Sequence, residues 1–106
     1  MTETITYQEQ ARKILHEFRF PMHQSGYRQL CTAIPMYAEN PEISMTKELY
    51  PHLSKQFGRD VESSIRRAIL FTWEHGNREA WEKYFPGHMK APSNLVFIAA
   101  IAEQLK

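Results

Sequence analysis

Residues 49–73 read LYPHLSKQFGRDVESSIRRAILFTW, a stretch that scans as two amphipathic helices joined by one tight turn, the outline of a helix-turn-helix. Leu49, Leu53 and Phe57 recur every fourth residue in the first half, and Val61, Ile65, Ala68, Ile69 and Thr72 form one helical stripe in the second. Gly58 can end the first helix with a positive φ, and Asp60 can cap the second by accepting a backbone N–H. Opposite the second stripe lie Ser63, Arg66 and Arg67. A planar guanidinium grips phosphate oxygens or the O6/N7 edge of guanine bidentately, so two of them on one helix face suit duplex DNA. The same pattern also describes an ordinary helical hairpin with solvated arginines, the commoner use of such a sequence.

The pattern extends outward in both directions. Thr6 followed by Glu9 is a capping box, which predicts a first helix with Ala11, Ile14, Leu15 and Phe18 on its inner face. Pro21 is expected to end it. A second stripe of Tyr27, Leu30, Ala33, Ile34 and Tyr37 follows Gly26, and Pro35 should kink that helix or stop it early. Asn40-Pro41 marks a loop, and Ser44 or Thr46 can cap the third helix, inside whose pattern Pro51 falls. After the 61–73 segment, Gly76 reads as a terminator and Asn77 as the cap of a short helix holding Ala80, Trp81 and Tyr84. Pro86-Gly87 breaks the chain. Ser93 then caps a last helix whose Phe97, Ile98, Ile101, Ala102 and Leu105 close the core. No strand alternation, repeat or low-complexity tract is present. The expected fold is all-α, about six helices in one domain over residues 1–106, with the helix-turn-helix at about 45–75.

The order and spacing of further residues resemble one known family. The match begins at His16-Glu17, continues through Pro21, His23, Gly26-Tyr27 and Leu30, and resumes at Leu49-Tyr50-Pro51 and Phe57. It takes in Val61-Glu62, Ile65-Arg66, Ala68-Ile69, Trp73 and Gly76-Asn77, and closes with Pro92, Asn94, Phe97-Ile98-Ala99, Ala102 and Leu105. This is similar to the C-terminal effector domain of the sporulation-initiation response regulators, transcription factors of endospore-forming bacteria. The resemblance implies a six-helix domain whose fourth helix, here Asp60 to His75, enters the major groove. It further implies that Glu62 and Arg66 sit on the DNA-facing side. Ser63 stands where the family has a base-contacting arginine, Arg67 where it has histidine, and Gly58-Arg59-Asp60 makes a shorter turn than the family's. The family has no proline at the position of Pro35 but tolerates one at Pro51. Trp73, Trp81, Tyr84 and Phe85 sit at helical spacing and read as core packing, but the family's region after the fourth helix, here about His75 to Phe85, helps contact the sigma subunit of RNA polymerase, which also makes Trp81 a candidate for a protein interface.

Composition bounds these readings. The chain of 106 residues is long enough for one core. Its formal net charge is only +1, so a DNA footprint has to be a local patch. The one cysteine, Cys31, cannot form an internal disulfide and falls in the second helical pattern as a packing residue. No N-terminal apolar run suggests export or membrane insertion, so the cytoplasm is the expected compartment. If the chain is the whole gene product, no receiver domain precedes it, and activity would be constitutive, set by abundance or controlled by a partner. The five histidines, His16, His23, His52, His75 and His88, have no paired zinc spacing. There is no glycine-rich phosphate loop and no serine nucleophile elbow. No cofactor, metal or enzymatic activity is expected.

Two functional readings follow. In the first, the chain is a sequence-preferring transcription regulator on double-stranded DNA, with a homodimer on DNA as one arrangement. Arg66 and Arg67 then meet base edges or phosphates, Glu62 and Ser63 adjust specificity, and Lys55 and Arg59 hold phosphates. In the second, the same fold is a protein-interaction module that grips a regulator, RNA polymerase or a copy of itself. Leu70 separates them, since a leucine between Arg66 and Glu74 either touches a thymine methyl or anchors a protein interface.

Overall fold

The computed structural model describes residues 6–58 and 60–105, and within them every regular element is helical. Helix α1 spans Tyr7–Phe18. The capping box is formed: the Thr6 hydroxyl accepts from the Glu9 N–H at 3.1 Å, and the Glu9 carboxylate accepts from the Thr6 N–H at 3.1 Å. The Thr6 N–H and hydroxyl, both donating to the Glu9 carboxylate, hold that carboxyl below its ordinary pKa. Ala11, Ile14, Leu15 and Phe18 are buried, as their spacing requires. The helix ends before Pro21, because Arg19 takes the left-handed conformation (φ 67°). The Arg19 N–H returns to the His16 carbonyl, and the Phe20 N–H to that of Leu15, closing the last turn on itself.

Helix α2 spans Ser25–Glu39 and runs four residues past Pro35. The expected early stop does not occur. A proline removes one N–H from the ladder, but Ala33 and Ile34 before it are fully buried and Met36, Tyr37 and Ala38 after it pack on the same core, so burial outweighs the lost bond. Ser44 does cap the next element, accepting from the Lys47 N–H at 3.2 Å. That element opens as a π-helical turn, Met45–Leu49, and continues as α3, Tyr50–Phe57. Pro51 has no N–H to extend an α ladder. Just before it, the Leu49 and Tyr50 N–H groups reach back five residues to the Ser44 and Met45 carbonyls. Gly58, at φ 67°, ends α3. Helices α4 (Val61–His75), α5 (Arg78–Tyr84) and α6 (Asn94–Ala102) complete the order. Asn77 and Ser93 cap α5 and α6 as expected, accepting from the Glu79 and Val96 N–H groups.

Helix α4 lies against α2 at a close backbone approach. A Cβ on Gly26 would fall 2.5 Å from the Ser64 carbonyl oxygen and 2.7 Å from the Ala68 Cβ, so only glycine permits this crossing. The far end of α4 rests on α1. Gly76 has an ordinary φ of −87°, so it is not a left-handed terminator; its missing Cβ makes room for the Phe18 and Thr72 carbonyl oxygens, which would lie at 2.4 and 2.5 Å. The Asn77 N–H and side-chain amide then donate to the Phe18 and Glu17 carbonyls, both at 3.0 Å. Around this joint Phe18, Trp81, Phe85 and Phe97 form an aromatic cluster, with the Phe18 and Trp81 rings edge-on at 4.6 Å. Outside it, the Glu17 carboxylate accepts from Tyr84 Oη at 2.8 Å and Lys83 Nζ at 3.2 Å, tying α5 to α1.

Gly26→Ala is expected to force α2 and α4 apart and to lower unfolding free energy by about 1–3 kcal/mol, the usual range for overpacking. Urea denaturation followed by tryptophan fluorescence measures it. An unchanged midpoint would show that the crossing relaxes freely.

Candidate nucleic-acid interface

The buried stripe of α4 is the one its spacing predicts: Val61, Ile65, Ala68, Ile69 and Thr72 face the core, joined by Ser64. Helical geometry then sends the other side to solvent. Glu62, Arg66 and Arg67 are exposed, as is Lys55 in the last turn of α3, while Arg59 lies outside the described residues. Glu62 and Arg66 stand four residues apart on one face. Among the described residues, none of Glu62, Arg66, Arg67 and Lys55 has an ion-pair partner, so these charges are directed outward.

The first turn of α4 is built differently from the expectation. The Asp60 side chain does not accept a backbone N–H; the residue's ψ of 87° departs from the 160° and 167° of the capping residues Thr6 and Ser93. Instead its carboxylate accepts from the Ser63 hydroxyl at 3.0 Å. Ser63 is thereby half-buried and held against the turn, with its hydroxyl proton already engaged. Asp60 still places negative charge at the helix N-terminus, where the backbone dipole favours it.

Asn94, in the first turn of α6, is a functional-site residue that the sequence pattern does not single out. Its buried side-chain amide donates to the Glu62 carbonyl at 3.0 Å and to the Tyr50 hydroxyl at 3.1 Å. Burial raises the Tyr50 pKa, opposed by the Asn94 donor and reinforced by the Glu62 charge. The clue in the sequence was a second capping-type residue directly after Ser93, one more than a helix start uses.

Leu70 and Phe71 are 41% and 45% exposed, and the Phe71 ring leans on His75 with centroids 4.7 Å apart. With Arg67 and Ser64 they form one wall of an open cleft of about 530 Å³, whose other wall is His23 to Gly26 at the start of α2. Periodicity could not reveal this cleft, because it depends on α2 meeting α4 across the Gly26 crossing.

Trp81, the other candidate for a protein interface, is not on the surface. It is 1% exposed, its indole N–H donates to the Thr72 carbonyl at 3.0 Å, and its ring packs on Phe18 and Trp73. Arg78, Glu79, Glu82 and Lys83 are exposed in this region, and the Arg78 guanidinium lies 4.7 Å over the Trp73 ring. Among the histidines, His16 is held by the Tyr27 hydroxyl at 2.9 Å. No three His, Cys, Asp or Glu side chains among the described residues gather as a metal site, and no helix there is long and apolar enough to cross a membrane.

A helical domain with an outward-facing basic strip on its fourth helix has a match among known families. The model for the sporulation initiation factor Spo0A C-terminal domain covers residues 11–105 of the 106-residue chain. The chain belongs to this family. Its members are helical DNA-binding effector domains of transcription regulation in sporulation, so this chain is a DNA-binding domain and not an enzyme.

Trp81→Ala should lower stability by about 3–5 kcal/mol, as emptying a core aromatic site does, whereas Leu70→Ala should stay within about 0.5 kcal/mol. Paired urea melts check both. A Trp81→Ala protein as stable as the wild type would return that residue to the list of surface candidates.

Proposed function

We propose that this chain is a sequence-preferring transcription regulator that inserts α4 into the major groove of double-stranded DNA, with α3 and α4 acting as a helix-turn-helix. The observation that carries the proposal is the outward strip of Glu62, Arg66 and Arg67 on a helix whose opposite face is wholly buried. Such a helix is rigid, and its charged side chains lack intramolecular ion partners among the described residues. In this reading Arg66 meets a base edge and Arg67 a base or a phosphate, while Lys55 neutralises backbone phosphate from the end of α3. Arg59 is assigned to phosphate from its place in the turn. Ser63, held by Asp60, is too short and too engaged to replace a base-contacting arginine. The preferred sequence should therefore differ from the family's at that position. The compartment that suits this role is the cytoplasm.

A second reading, a protein-interaction module, is favoured by one observation: Leu70 and Phe71 expose apolar surface beside the basic strip. A copy of the same chain on adjacent DNA, or the polymerase sigma subunit, would cover that surface.

Anisotropy titrations of labelled duplexes test the first reading. Affinity should fall by orders of magnitude between about 50 and 200 mM salt, through release of counterions from the phosphates. Arg66→Ala should cost about 1–3 kcal/mol on a selected duplex and much less on random DNA, while Lys55→Ala weakens both alike. Salt-insensitive binding, or none at micromolar protein, would remove the reading. Leu70→Glu separates the two: reduced DNA affinity with unchanged mass by light scattering supports the regulator, and loss of an oligomer in a wild type that ignores DNA supports the interaction module.

A further inference from the structure

An asparagine at a helix start ordinarily caps its own helix, but here Ser93 does so, accepting from the Val96 N–H. The Asn94 side chain instead crosses 32 residues of sequence to Glu62 and 44 to Tyr50. The Glu62 carbonyl can only accept, so the amide must present its NH2 to it, and the second N–H then meets the Tyr50 hydroxyl. Both protons are used. The amide oxygen is buried and without a hydrogen-bond partner among the described residues, a cost that an apolar side chain at the same place would avoid. The donor pair is what distinguishes asparagine here. The Glu62 carbonyl is also the acceptor to which an α-helix directs the N–H of Arg66, four residues on. Asn94 therefore grips the turn that carries Glu62, Ser63 and Arg66, and ties it to the first residue of α3.

We propose that Asn94 is a positioning residue for DNA recognition: without touching DNA, its amide sets the angle of the first turn of α4 on α3 and so the register in which Glu62 and Arg66 meet the bases. This rests on α4 being the recognition helix. Direct readout is more sensitive to such an angle than phosphate contact is, so the signature is a loss of specificity rather than of binding.

The test compares the duplex that the wild type selects from a randomised pool with a scrambled duplex of equal length. Asn94→Ala should lower affinity for the selected duplex about tenfold, roughly the worth of one or two buried hydrogen bonds, and leave the scrambled duplex within about twofold. In an Arg66→Ala background the same change should cost less than about threefold on the selected duplex, because the side chain it positions is gone. Amide hydrogen exchange should quicken at the Arg66 N–H while α1 and α2 stay protected. If Asn94→Ala does not fold, Tyr50→Phe removes one acceptor and leaves the ring; it should lower the selected-to-scrambled ratio about threefold. Equal losses on both duplexes, additivity with Arg66→Ala, or an unchanged ratio in both variants overturns the role of Asn94 while leaving α4 as the reader. A wild type that selects no duplex overturns the reading of α4 itself, and with it the role of Asn94 in recognition.

Discussion

The approach of α2 to α4 at Gly26 is the constraint on which the rest of the structure depends. A backbone carbonyl from one helix sits where any side chain on the other would begin, so the two helices pack at van der Waals contact with no filler between them. This close seat lets a short chain bury the whole inner face of α4, from Val61 to Thr72. A helix seated so firmly can turn a charged strip to solvent without being pulled off its own core. The same crossing opens the cleft in which Arg67, Leu70 and Phe71 face the start of α2.

Two further anchors keep α4 from rolling or sliding on that seat. At its end, Gly76 admits the Phe18 and Thr72 carbonyls, and Asn77 and the Trp81 indole donate to the backbone of α1 and α4. At its start, Asn94 bonds the Glu62 carbonyl. Each anchor is a side-chain or backbone group meeting main chain. Such contacts fix position more sharply than apolar packing, which tolerates small slides at little cost. They also explain the burial of Trp81. An indole N–H committed to the Thr72 carbonyl, with its ring against Phe18, has no free surface for a partner.

Electrostatics act on a local scale. With a net charge of +1, the molecule has little long-range attraction for a polyanion, and salt screens what there is within about 10 Å. Attraction therefore has to come from a few side chains facing one way. In the proposed reading Arg66, Arg67 and Lys55, all exposed, supply it, and Glu62 one turn before Arg66 tempers the field.

The helices, most of their caps and the buried stripes were legible in the sequence, because they follow from short-range rules: Thr6 with Glu9, Ser93 before an apolar run, and a 3.6-residue period through Val61 to Thr72. Which charges face outward on α4 followed from the same period. Local rules misled where distant packing outweighed them. Pro35 sits inside a helix that burial on both sides keeps intact; Asp60 departs for a local reason, giving its carboxylate to Ser63 three residues on, while Gly76 ends α4 as its place predicts. What the sequence by itself determined is the set of helices and the face each one buries, since periodicity and capping act within a few residues. Only the tertiary structure decided that Asn94 spans to Glu62 and Tyr50, that Gly26 seats α4, and that the Trp81 indole meets the Thr72 carbonyl, because those depend on groups brought together within 3 Å or so by packing, and no local pattern encodes such a meeting.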